Sequence, residues 1–68
     1  MAQVTPDFVQ ELLVEQLISD LQQGNYVSTA ANARNILRIA QHSSLRPEVL
    51  AVAQRTVQIL EHKGYSER

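Results

Sequence analysis

The chain has 68 residues, a formal net charge of −1 and no cysteine. This length allows one domain, and the charge argues against a general binder of nucleic acid or of acidic membranes. The absence of thiols excludes disulfides and thiolate metal sites. His42 and His62 alone cannot complete the coordination shell of a metal ion. We therefore expect no metal and no cofactor. A domain this small is marginally stable. Without disulfides or a metal, helix packing and self-association are the remaining ways to stabilise its fold.

The first helix is predicted over residues 6–23. Thr5 precedes it as a capping residue, Pro6 suits the first helical position, and Asp7 favours the positive end of the helix. Gly24 can adopt the left-handed conformation that ends many helices, so we expect the helix to stop there.

The second helix is predicted over residues 26–42. Asn25 is a good capping residue, and the Ala-rich segment 30–40 has a high helix propensity. Ser43 and Ser44 favour a turn, so they mark the end of this helix.

The third helix is predicted over residues 46–63, with Pro47 near its first turn and Gly64 as its stop signal. No sustained alternation of apolar and polar residues predicts a strand. The sequence therefore indicates an all-α fold, a small three-helix bundle. Residues 1–68 form a single helical domain, with residues 1–4 and 65–68 expected as flexible ends.

Targeting and membrane segments are not expected. The sequence begins with no basic stretch followed by an apolar run, and it contains no apolar run of about 20 residues that could span a bilayer. Together with the absence of cysteine, this predicts a cytoplasmic location and no membrane partner.

The second and third helices are each predicted to be amphipathic, with one face in the core. The expected core stripe of the second helix is Tyr26, Ala30, Ala33, Ile36, Leu37 and Ala40. That of the third helix is Val49, Val52, Ala53, Thr56, Val57, Ile59 and Leu60.

The first helix has more apolar residues than one face can hold. Its expected core stripe is Leu13, Val14, Leu17, Ile18 and Leu21. Phe8 and Leu12 project away from that stripe, and Val9 lies between the two groups. These three residues are the candidate protein interface. A second copy or a different protein could cover them, or they could cover the end of the bundle within the chain.

The most distinctive polar feature is a row of Arg34, Arg38 and His42 at spacings of four residues, with Arg55 expected not far away. The row is a candidate anion or nucleic-acid contact. The alternative is a solvent-exposed face whose arginines pair with acidic residues across the bundle. A helix-turn-helix reader of DNA is a related possibility, but the turn between the second and third helices lacks the usual glycine.

No catalytic site is predicted. Ser43 and Ser44 follow His42, but serine is common at helix ends, and no acidic residue lies nearby in sequence. Glu11 and Glu15 lie one turn apart on the first helix. We predict that they are solvent-exposed charges and not a catalytic acid–base pair. The chain is therefore expected to be a non-enzymatic protein–protein interaction module that self-associates through the first helix, with a small nucleic-acid- or anion-binding regulator as the alternative.

Overall fold

The computed structural model describes residues 3–65 and contains three helices that pack side by side. In chain order, the elements are β1 (Gln3–Val4), α1 (Asp7–Gln22), α2 (Tyr26–Ala40), β2 (Ser43–Ser44) and α3 (Pro47–His62). The prediction of a small all-α three-helix bundle is confirmed. The predicted ends of each helix lie within two residues of the observed ends, with His42 in the turn after α2 and not in the helix.

Helices α1 and α3 end in the same way, at Gly24 and Gly64. The two glycines have φ values of +79° and +92°, as the sequence predicted for left-handed stop residues. Gly24 and the residue after it donate their N–H groups to carbonyl oxygens in the last turn of α1, at 3.1 and 2.9 Å. Gly64 and its successor do the same on α3, at 3.0 and 2.8 Å. This pair of hydrogen bonds is the Schellman motif, which satisfies carbonyl groups that a helix end leaves free.

The start of α1 differs from the prediction. Pro6 occupies the capping position, and the Thr5 side chain does not cap the helix. The Thr5 hydroxyl shares a hydrogen bond of 2.7 Å with the Ser43 hydroxyl. The prediction of a Thr5 cap was wrong because a tertiary partner outside α1 takes the hydroxyl.

A short parallel strand pair joins the N-terminal segment to the α2–α3 connection. Gln3 pairs with Ser43 and Val4 pairs with Ser44. The sequence predicted no strand, since two residues are too few to establish an alternating pattern. Gln3 and Val4, part of the end that the sequence predicts to be flexible, form this strand, and residues 1–2 and 66–68 lie outside the described range.

Helix α2 lies at the centre of the bundle. It packs closely against both α1 and α3, whereas the backbones of α1 and α3 stay further apart. The buried residues of the central cluster are Leu17, Ala33, Ile36, Val49 and Ala53. Since alanine has a short side chain, Ala33 and Ala53 allow the backbones of α2 and α3 to approach closely.

Several residues that were predicted in the core are substantially exposed. Ile18 and Leu21 on α1 are 42% and 43% exposed, and Val52 and Ile59 on α3 are 38% and 42% exposed. Their exposure agrees with the wider separation of the backbones of α1 and α3.

Candidate interaction surface

An apolar patch lies on the side of α1 that faces away from the core. We call Phe8 and Leu12 the outer patch; they are 65% and 59% exposed. Phe8 and Leu12 are four residues apart, so they project from the same face of the helix. Val9, the third residue of the predicted interface, is only half-buried.

Helix α1 lacks a clear division into a buried and a solvent face. Within α1, all of which the structure describes, Leu17 is the one fully buried apolar residue, and the other buried residue is Gln10. By contrast, α2 and α3 each bury three apolar residues. A helix that stays apolar on several sides is typical of one that contacts more than one partner.

A groove between α1 and α3 is marked by two cavities. Val14 and Leu21 of α1 line it on one side, and Val52 and Ile59 of α3 line it on the other. A cavity of about 250 Å³ opens at one end of the groove, where Val14 on α1 faces Val52 on α3. A second cavity, of about 390 Å³, opens at the other end, where Leu21 faces Ile59. We call these the N-terminal and the C-terminal cavity.

The charges along the groove are unevenly distributed. The N-terminal cavity is lined by three carboxylates, Glu11, Glu15 and Glu48, together with Arg46. The Arg46 guanidinium lies 3.6 Å from the Glu48 carboxylate, which offsets part of that negative charge. The C-terminal cavity has a single charged residue in its lining, Lys63. The groove is therefore acidic at one end and basic at the other.

An aromatic pair closes the far side of the C-terminal cavity. The rings of Tyr26 and Tyr65 lie 5.0 Å apart at an angle of 56°. This spacing is typical of a favourable tilted aromatic contact. The pair attaches Tyr65, which follows the end of α3, to the first turn of α2.

The structure places the predicted basic row in two different environments. Arg34 forms an ion pair with Glu61 on α3, whereas Arg38 and His42 are exposed. Arg55 is also exposed. Its direction differs by about 120° around α3 from that of Glu61, the partner of Arg34, because the two residues are six positions apart.

The described residues offer no assembled set of metal ligands. Among residues 3–65, no three His, Cys, Asp or Glu side chains lie close enough to hold a metal ion. The Ser43 hydroxyl is bound to Thr5, and Ser44 follows it in β2. None of the helices in this part of the chain is long and apolar enough to cross a membrane.

Sequence reasoning missed two features of this surface. The first is the burial of Gln10. A polar residue on an amphipathic helix is expected to face solvent, so the sequence did not predict this burial. The second is the groove, for which Val52 and Ile59 gave a partial signal because they lie at one edge of the apolar stripe of α3.

Comparison with known proteins identifies no relative. No protein-family model matches the chain, and no curated protein or solved structure is significantly similar to it.

Proposed function

We propose that this chain is a non-enzymatic protein–protein interaction module that associates with a second copy of itself through α1. The observation that carries the proposal is the distribution of apolar residues on α1. Leu17 is its one fully buried apolar residue, while Phe8 and Leu12 are well over half exposed. Val9 lies beside them and completes the interface predicted from the sequence.

The size of the exposed apolar surface supports association. Complete burial of a Phe or Leu side chain stabilises by about 1.5–3 kcal/mol, whereas the loss of rotational and translational freedom on association costs about 4–15 kcal/mol. In a dimer of two identical chains four such side chains contribute, about 6–12 kcal/mol on complete burial, which falls within the range of that cost. Burial of Ile18 and Leu21, which are also exposed on α1, would add to the favourable term.

The charges support a second copy as the partner. The carboxylates of Glu11 and Glu15 lie on α1, and the cations of Arg55 and Lys63 lie on or just after α3. One chain thus carries acidic side chains on one helix and basic side chains on another, which allows ion pairs between two copies. Complementary charge across an interface favours a specific partner and a defined orientation.

The alternative function, anion or nucleic-acid binding by Arg34, Arg38 and His42, has weaker support. Phosphate binding requires several free cationic side chains, and the charge of Arg34 is offset by Glu61. No arrangement in the described residues favours this function over association.

The proposal is tested by light scattering on a size-exclusion column at several protein concentrations. We expect Leu12→Glu to lower the fraction of dimer while the helical circular dichroism stays unchanged. Val27→Glu is the matched control, because Val27 is 53% exposed and lies on α2. Equal loss of dimer in both variants, or a monomer at all concentrations for the unmodified protein, contradicts the proposal.

A further inference from the structure

The N-terminal cavity combines an apolar lining with carboxylates from both of its helices. Val14 on α1 and Val49 and Val52 on α3 supply the apolar side chains. Val49 is buried and belongs to the core, whereas Val52 is 38% exposed. With a volume of about 250 Å³, the cavity has room for one long side chain of a partner.

The negative charge beside this cavity is only partly balanced within the chain. Arg46 is the one cation in the lining, and its ion pair is with Glu48. Within residues 3–65, Glu11 and Glu15 take part in no ion pair, and both are exposed. Two carboxylates beside the cavity are therefore free to receive a cation from outside.

Glu11 and Glu15 act together because they are four residues apart on α1. Side chains at this spacing lie on the same face of a helix, one turn apart, and their like charges repel each other. A cation held between them would remove this repulsion. Val14, which precedes Glu15 in sequence, gives the cavity an apolar surface next to the carboxylates.

We propose that the N-terminal cavity binds an arginine side chain from a basic segment of a partner protein. The stem of that arginine packs against Val14 and Val52, and its guanidinium lies at the carboxylates of Glu11 and Glu15. Long cationic side chains bury their aliphatic stems on apolar surface while the charged group stays near water. The guanidinium has five N–H donors in a fixed plane, so it can bond to two carboxylates at once.

Charge complementarity is the reason for a basic partner. A purely apolar side chain in this cavity would take water away from the carboxylates and give no hydrogen bond in return, which costs free energy. An acidic segment would meet like charge. The occupant that suits both the valines and the carboxylates has an apolar stem and a cationic end.

This contact goes beyond the self-association proposed above and does not depend on it. Leu12 of the outer patch and Val14 of the cavity are two residues apart, so their directions differ by about 160° around α1. The two surfaces therefore lie on different sides of the helix, and each can be tested without the other.

Titration of the isotope-labelled chain with capped Gly-Arg-Gly, followed by NMR, tests the proposal. We expect a dissociation constant in the millimolar range, with the largest shifts at the backbone amides of Val14, Val49 and Val52. The same peptide with citrulline in place of arginine is the control ligand, because citrulline keeps the shape of the side chain but carries no charge. It is expected to bind about threefold more weakly or worse.

Substitutions in the chain locate the contact. Glu15→Gln removes one carboxylate of the site and should raise the dissociation constant about threefold, whereas Asp7→Asn removes the same charge outside the cavity lining and should change it little. Val52→Phe fills the cavity without a change of charge and should prevent binding. The dispersion of the amide signals shows whether each variant is folded, and the exposed position of Glu15 keeps the test valid if Val52→Phe unfolds.

Three results would each overturn the proposal. The first is the absence of shifts at millimolar peptide, and the second is equal binding of the arginine and citrulline peptides. The third is an equal effect of Glu15→Gln and Asp7→Asn, which would indicate attraction by the overall charge of α1. None of these results bears on self-association, which the molar mass of the chain tests separately.

Discussion

The Gln10 side chain accepts a hydrogen bond of 2.8 Å from the backbone N–H of Arg46, although the two residues are 36 positions apart in sequence. The amide nitrogen of Gln10 donates at 2.8 Å to the carbonyl oxygen of Thr5. Gln10 is 2% exposed. It thus connects the segment before α1 to the segment before α3 and holds the first turns of the two helices side by side.

Replacement of Gln10 is expected to destabilise the fold. Gln10→Leu keeps most of the side-chain volume but leaves the Arg46 N–H and the Thr5 carbonyl without their partner. A buried polar group without a hydrogen bond costs about 1–3 kcal/mol, so we expect the free energy of unfolding to fall by roughly 2 kcal/mol. The measurement is urea denaturation at a fixed protein concentration.

Gln16→Leu is the control for this prediction, since Gln16 lies on α1 and is exposed. Its effect on the free energy of unfolding should stay within about 0.5 kcal/mol. An equal effect of the two substitutions contradicts the role assigned to Gln10.

The contact between α2 and α3 gives a second prediction. Ala53 is fully buried against α2, whereas Ala51 on the same helix is exposed. Ala53→Leu forces the two helices apart and should lower the free energy of unfolding by about 1–3 kcal/mol. Ala51→Leu adds the same atoms to a solvent-exposed position and should be nearly neutral. Thermal denaturation of both variants is the measurement.

The end of α1 gives a third prediction, which separates backbone conformation from packing. Gly24 has a φ of +79°, and a Cβ atom built there meets no atom within 4 Å. Gly24→Ala should therefore destabilise by about 1–2 kcal/mol through the left-handed conformation alone. Gly24→Asn should lose less, because asparagine tolerates that conformation. Thermal melts that rank alanine above asparagine in stability contradict this explanation.

The sequence predicted most of the fold because local signals determine the helices. Gly24 and Gly64 end α1 and α3 as expected, and Ala33, Ile36 and Val49 are buried as their helical spacing indicated. The role of Thr5 could not be predicted, since its partner Ser43 is 38 residues away and only the tertiary fold brings the two together.

The candidate site was predicted only in part. Phe8 and Leu12 departed from the core stripe of α1, and the structure places both on its exposed side. The assignment of these residues to an interface stays a prediction. The groove could not be foreseen, because helical periodicity indicates which residues share a face but not how far apart α1 and α3 lie.

The central claim is that the chain associates with itself through α1, and the most direct test is the molar mass of the unmodified protein in solution. Light scattering across a range of concentrations should give a mass that rises from that of one chain, 7.6 kDa, towards twice that value. Leu12→Glu should shift this rise to higher concentrations. A mass of one chain at every concentration, up to the millimolar range, would contradict the account.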